Sequence, residues 1–207
     1  VAMVGRTQVS AEGYDLLVKW LRVGWGYVET LGVPRMPAKD RKEFQKFVEL
    51  ARPVLRRIDE VNRTMLIPAL ADGQVGMVFD GKLRSKQFLR DLPATEKPMP
   101  MIEPALVLGV SDPALLRKAA GEYVKFVQGI LDAARKTSPD EVPVLKLPKP
   151  KLSKTEHGEL AVYALPAEWG VDKQVALAFG LADKVAVVAA TPKHAERLLA
   201  PTPLAVG

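Results

Sequence analysis

The run with the best spacing for chemistry is Gly76-Met77-Val78-Phe79-Asp80-Gly81-Lys82, which satisfies the G-x-x-x-x-G-K portion of a phosphate-binding loop. A working loop needs Ser or Thr after the lysine to ligate magnesium, and here Leu83 follows. Three of the four intervening residues are large hydrophobes, which suit a strand, and the fourth, Asp80, would repel a phosphate. No helix start follows Lys82 to aim amides at an anion. The run is rejected as a phosphate site.

Other constellations fare no better. His157 and His194 are the only histidines and are widely separated, one in a loop beside Gly158 and one in a first helical turn, positions where exposure to solvent is expected. No D-x-D or EF-hand pattern offers a carboxylate site for magnesium or calcium. G-x-S-x-G, S-x-x-K and H-E-x-x-H are all missing, so a hydrolase would lack a named nucleophile or base. The adjacent carboxylates Asp59-Glu60 and Asp140-Glu141 cannot partner one another on a helix, where neighbours point about 100° apart. With no cysteine, thiolate zinc, iron–sulfur clusters, disulfides and cysteine nucleophiles are all excluded. Asn62-Arg63-Thr64 matches the glycosylation acceptor triplet, which has meaning only in a secretory setting. No catalytic, cofactor-binding or metal-ligating residue is assigned, no cofactor is implied, and the residues favour a protein that is not an enzyme.

The elements that would position any site can be read from periodicity. Tyr14, Leu17, Val18, Leu21, Trp25, Val28 and Leu31 form one helical stripe, capped by Ser10 and stopped by Gly32-Val33-Pro34. Trp25 is expected to pack in a core, Trp20 sits just beside the stripe, and Gly24 and Gly26 suggest close approach of another element. A second helix is predicted over residues 38–62, with Phe44, Phe47, Val48, Ala51, Leu55 and Ile58 inward, and Pro53 predicts a kink near Glu49–Arg52 or a division into two shorter helices. Residues 74–84 read as strand, Asp80-Gly81 turn and strand. Residues 93–104 read as a Met/Pro-rich connector and 105–110 as a strand. Ser111-Asp112-Pro113 starts a helix whose stripe is Leu116, Ala119, Tyr123, Val127, Ile130 and Ala134, ending near Thr137. Residues 143–154, with three prolines and four lysines, read as an extended connector. Strands follow at 159–165, 174–181 and 184–190, and Thr191-Pro192 opens a last short helix.

These elements predict an α+β fold: an N-terminal helical hairpin followed by a mostly antiparallel sheet with helices packed on one face. The division is a hairpin at 1–70 and a sheet domain at 71–207, or one continuous domain over 1–207. Two strand-cap-proline-helix passages, at 107–113 and 187–192, suggest that both helices leave the same end of the sheet. At 207 residues the chain is long enough to bury a core without metal or disulfide. Its net charge of +6 is concentrated in residues 1–97, where 17 Lys/Arg face 12 Asp/Glu, and the mixed signs there read as a solvated helix face. No uncharged apolar run reaches the roughly 18–20 residues of a membrane helix. The termini, Val1-Ala2-Met3 and Leu204-Ala205-Val206-Gly207, read as those of an excerpt from a longer protein.

The second half carries Val110-Ser111-Asp112-Pro113 before a long helix, then Ala161-Val162-Tyr163-Ala164-Leu165-Pro166, Val175-Ala176-Leu177-Ala178-Phe179-Gly180, Asp183-Lys184-Val185-Ala186-Val187-Val188 and Ala195-Glu196-Arg197-Leu198-Leu199. In these structural motifs it resembles a class of bacterial, planctomycete-like exported or envelope proteins built from sheet-and-helix modules, a class without an assigned activity. The resemblance implies a non-enzymatic domain of a larger exported protein, and the leading reading is a binding or structural module that acts through a surface, with a protein as partner and export or the cell envelope favoured as location. The alternative is anion or nucleic-acid binding through the basic helical segment. It is the less favoured because aromatic stacking platforms are not interleaved with the cations.

Overall fold

A computed structural model describes residues 2–6, 10–137 and 149–200 of the chain, and the carboxylate pair Asp140-Glu141 and residues 143–148 of the lysine-rich connector lie outside them. The fold is α+β, in two units interleaved along the sequence: Val1–Gln8, Leu70–Pro113 and Pro148–Gly207 form one, Val9–Ala69 and Ala114–Leu147 the other. The expected boundary near residue 70 coincides with one of the four crossings between them.

The first unit is an antiparallel sheet. Its strands are β1 (Ala2–Arg6), β2 (Gln74–Ser85), β3 (Met99–Gly109), β4 (Lys151–Thr155), β5 (Gly158–Ala164), β6 (Ala176–Leu181) and β7 (Val185–Ala189), in the order β1-β2-β3-β7-β6-β5-β4. Two departures from the sequence reading concern β2 and β3. Asp80-Gly81 is not a hairpin turn: β2 runs through it and pairs with β3 on both sides, absorbing one extra residue between Asp80 and Leu83 as a bulge. Asp80 Oδ1 accepts the Gly81 N–H at 2.8 Å, so the turn-favouring dipeptide is used within the strand. Part of the Met/Pro-rich connector is the start of β3, where Pro100 stands opposite Arg84 and Pro104 opposite Phe79. Part of the lysine-rich one is the edge strand β4, a place where lysine blunts further pairing.

The helix α5 (Pro192–Leu199) packs on one face of this sheet, its N-terminus capped by Thr191 as expected. Beneath it lie Ala105, Leu160, Ala178, Val187 and Ala189 with Ala195 and Leu199 of the helix itself. The small residues let the helix come close: a Cβ at Gly180 would stand 2.9 Å from Leu199 Cδ1. Because β3 and β7 are antiparallel neighbours, with Ala105 opposite Ala189 and Gly109 opposite Val185, their C-terminal ends point to opposite ends of the sheet. The two strand-cap-helix passages therefore leave from opposite ends, not the same one. Local capping chemistry repeats without the topology repeating.

The second unit is helical. It contains α1 (Ala11–Tyr27), α2 (Ala38–Val61), the short α3 (Ile67–Ala69) and α4 (Pro113–Thr137), with one wide helical turn at Val28–Gly32 and another at Asn62–Leu66. The first two helices form the expected hairpin: Tyr14 meets Asn62 at one end, and Trp25 stacks on Phe44 at the other, with ring centres 5.7 Å apart. Ser10 caps α1 by accepting the Gly13 N–H at 3.0 Å. The break expected at Pro53 does not occur; α2 is continuous, and Pro53 is exposed, where water can take the hydrogen bond that proline cannot make. The core of this unit is Val61, Ala119 and Phe126, flanked by Val54, Ile58, Met65, Leu66 and Tyr123. On α4 the buried positions are Ala119, Phe126 and Ala133, while Val127 of the expected stripe faces solvent.

Candidate functional site

The richest collection of polar side chains is buried where α5 meets β2 and β3. Glu103, on β3, is 2% exposed and fully engaged. Its Oε1 accepts the Thr191 hydroxyl at 2.5 Å, and its Oε2 accepts the Leu83 N–H at 2.8 Å and Arg197 Nη2 at 3.1 Å. The same Arg197 nitrogen reaches Asp80 Oδ2 at 3.0 Å. Burial alone would raise the Glu103 carboxyl, but the bonds from Thr191 and Leu83 and the charge of Arg197 outweigh it and hold the group below its ordinary range. A carboxylate satisfied on both oxygens has little capacity left to take a proton from a substrate. This cluster fastens a helix to a sheet.

Beside it, His194 is 1% exposed, contrary to the solvent exposure expected of it, and neither ring nitrogen has a hydrogen-bonding partner. Thr191 and Pro192 start the helix so that position 194 falls on the sheet-facing side with Ala195. Desolvation pushes the imidazole below its ordinary value, with Glu103 and Asp80 opposing and Arg197 and Lys82 assisting. His157 occupies the turn between β4 and β5, partly exposed. The two histidines are not brought together, and among the described residues no group of three His, Asp or Glu could hold a metal ion.

The remaining candidates of the sequence are accounted for by neighbours. Lys82 lies on β2, 3.8 Å from Asp80. Asp59 and Glu60 take separate partners, Arg63 and Arg57. Asn62 is committed: its Nδ2 donates to Tyr14 Oη at 3.0 Å and its Oδ1 accepts the Tyr123 hydroxyl, so the side chain of the glycosylation triplet is used between two tyrosines. A shallow hollow of about 350 Å³ is lined by Gln87, Arg90, Gly170, Asp172 and Lys173, but Asp172 is occupied by the Ser85 hydroxyl and the Gln174 N–H.

The feature that the sequence reading missed is the sheet face opposite α5. Directly paired residues share a face, so register alone defines a row across all seven strands: Met3, Met77, Leu106, Val188, Phe179, Ala161 and Leu152. The next row is Gly5, Val75, Leu108, Ala186, Leu181, Glu159 and Lys154, whose only charges are opposite in sign and paired at one corner. Met77 is 47% exposed, Phe179 40% and Leu152 74%. Tyr163 packs edge-on against Phe179 and keeps the face aromatic at that end. The signal was available: runs such as 105–110 and 185–190 are apolar throughout instead of alternating, which marks strands covered on both faces.

No family model, curated protein or solved structure matches the chain. Among the described residues no helix is long and apolar enough to cross a membrane.

Proposed function

We propose that the chain is a non-catalytic binding or structural module that seats an apolar surface of a protein partner on the sheet face opposite α5, and, by the resemblance of its second half, serves within a larger exported protein. The observation that carries this reading is the seven-strand apolar row. At a strand spacing of about 4.8 Å it extends roughly 30 Å across the sheet. Contiguous apolar patches wider than a few hundred Å² are uncommon on proteins that work alone, because each square ångström left in water forgoes about 25 cal/mol. The buried polar cluster supports the same reading, since its groups are spent on holding α5 and none of them belongs to the apolar row.

A photo-crosslinking residue placed at Phe179 tests this in cells expressing the full chain. The expected result is a discrete crosslinked protein band that Val188→Asp abolishes and that the same probe at exposed Glu196 does not give. Equal crosslinking from both positions, or none from Phe179, would refute it.

A further inference from the structure

We infer that α1 is a surface for anionic lipid, lying flat in the headgroup region with one flank in the acyl boundary and the other holding headgroup phosphates. The helix has no buried residue. Leu16, Trp20, Val23, Tyr27 and Leu31, at spacings of four, three, four and four, form a stripe that is exposed along its whole length, Trp20 at 65%. Leu17, Leu21 and Val28 widen it, also exposed. At 100° per residue, the charges of α1, namely Glu12, Asp15, Lys19 and Arg22, all fall outside this arc. The expected core position of Trp25 is corrected here too: it is 39% exposed, with one face stacked on Phe44. Gly24 and Gly26 have nothing within 4 Å of an added Cβ, so no element of the unit closes on them.

What selects the occupant is charge. A depression of about 530 Å³ on the polar flank is lined by Asp15, Val18, Lys19, Arg22, Val23 and Arg63. Val23 belongs to both the depression and the apolar arc, so the two features adjoin. Of the lining charges, Arg63 is taken up by two carboxylates, Asp15 Oδ1 lying 2.5 Å from its Nη1 and Asp59 Oδ2 3.1 Å from its Nε, which leaves Lys19 and Arg22 as the cations that face a ligand. The unit as a whole is basic: residues 9–69 and 114–147 hold 17 Lys/Arg against 12 Asp/Glu, whereas the rest of the chain holds 13 against 12. A wide uncharged arc containing Trp and Tyr, bordered by lysine and arginine, is the composition of helices that lie in a membrane interface. Nucleic acid would use the cations and leave the arc in water. An apolar protein groove would use the arc and leave the cations unmatched. An anionic bilayer surface uses both.

The test is co-sedimentation of the full chain with vesicles of phosphatidylcholine alone and of phosphatidylcholine with 30 mol% phosphatidylserine (about a third anionic, so that the surface potential is appreciable), with tryptophan emission recorded in parallel. Expected are binding and a blue shift with the anionic vesicles only. Affinity should fall by about ten-fold or more for Lys19→Glu combined with Arg22→Glu, and similarly for Trp20→Asp, while Leu152→Asp on the sheet leaves it unchanged. All four positions are exposed, and circular dichroism confirms folding of each variant. No vesicle binding at low salt, equal binding to neutral vesicles, or loss of vesicle binding with Leu152→Asp overturns the inference. So does a charge reversal that abolishes heparin binding yet spares vesicle binding, which would assign the cations to a different polyanion.

Discussion

Thr191 and Glu103 share a hydrogen bond of 2.5 Å across a separation of 88 residues, the hydroxyl donating to Oε1. The same hydroxyl accepts the His194 N–H at 3.2 Å, so one side chain caps α5 and satisfies a buried carboxylate of β3. Helix start and sheet are thereby keyed to a single geometry. The helix begins where Thr191 can reach Glu103, and Arg197, nearly two turns further on, meets the other oxygen of the same carboxylate.

Replacing Thr191 with the near-isosteric Val removes both functions of the hydroxyl. Loss of the cap costs about 1 kcal/mol, and leaving a buried charged acceptor one bond short costs about 1–3 kcal/mol more. Urea denaturation should show Thr191→Val destabilised by roughly 2–4 kcal/mol from these two contributions, with Thr191→Ser close to wild type. A Thr191→Val chain within 0.5 kcal/mol of wild type, less than any of these contributions, would show that the bond is not made in solution.

Stability should fall with acid in two stages of different origin. His194 is depressed below its ordinary value, so the unfolded chain takes up a proton before the folded one does; stability drops as pH falls from the ordinary histidine range toward the lower folded value. Glu103, Asp80 and Asp172 are also depressed, and for them the stabilisation present above the ordinary carboxyl range is lost as pH falls through their lowered folded values. Thermal unfolding followed from pH 8 to pH 3, a window spanning both ordinary ranges, should show both slopes in wild type. In His194→Leu the upper slope should vanish and the lower remain, because the unpartnered nitrogens are gone while the carboxylates are intact. Retention of the upper slope would place its origin elsewhere.

Helix starts were legible because their chemistry is local. Ser10, Ser111-Asp112-Pro113 and Thr191-Pro192 mark the beginnings of α1, α4 and α5 from hydroxyls, carboxylates and prolines within a few residues. The central strands β6 and β7 were legible from their apolar runs. Asp80-Gly81 misled because the dipeptide suits either a turn or a kinked strand, and the choice is made by β3, some twenty residues away. Periodicity showed which residues of α1 share a face but not whether anything covers it, so an exposed stripe was read as core. His194 was assigned to solvent for the converse reason: its burial depends on the sheet beneath it. Of the sheet face opposite α5, the composition was visible and the register was not. Without register, seven apolar residues from seven strands cannot be seen to form one row.

Glycines offer a paired prediction of opposite sign. At Gly158 an added Cβ would stand 2.4 Å from the Leu181 carbonyl oxygen, a backbone atom that cannot move aside, so Gly158→Ala should destabilise by about 2 kcal/mol or more. At Gly24 and Gly26 the space is open and the backbone helical, so Ala at either should stabilise by up to about 1 kcal/mol. Denaturant midpoints measured on the three single variants should rank them on either side of wild type. A stabilised Gly158→Ala would contradict the close approach of β5 to the end of β6.

Asn62 carries the last prediction. It sits in the wide helical turn after α2 and joins Tyr14 of α1 to Tyr123 of α4, donating to one hydroxyl and accepting from the other. Burial raises both tyrosines above their ordinary values, and Asn62 opposes the rise in each. Asn62→Leu removes both bonds at once and leaves two half-buried hydroxyls to find water, which should cost about 2 kcal/mol in total, roughly 1 kcal/mol for each bond. If the two bonds are coupled through the one side chain, Tyr14→Phe and Tyr123→Phe should each cost more singly than half of that, and adding either to Asn62→Leu should cost almost nothing further. A double-mutant cycle by urea denaturation measures this directly. Full additivity of Asn62→Leu with Tyr123→Phe would mean that the bond between them is not formed.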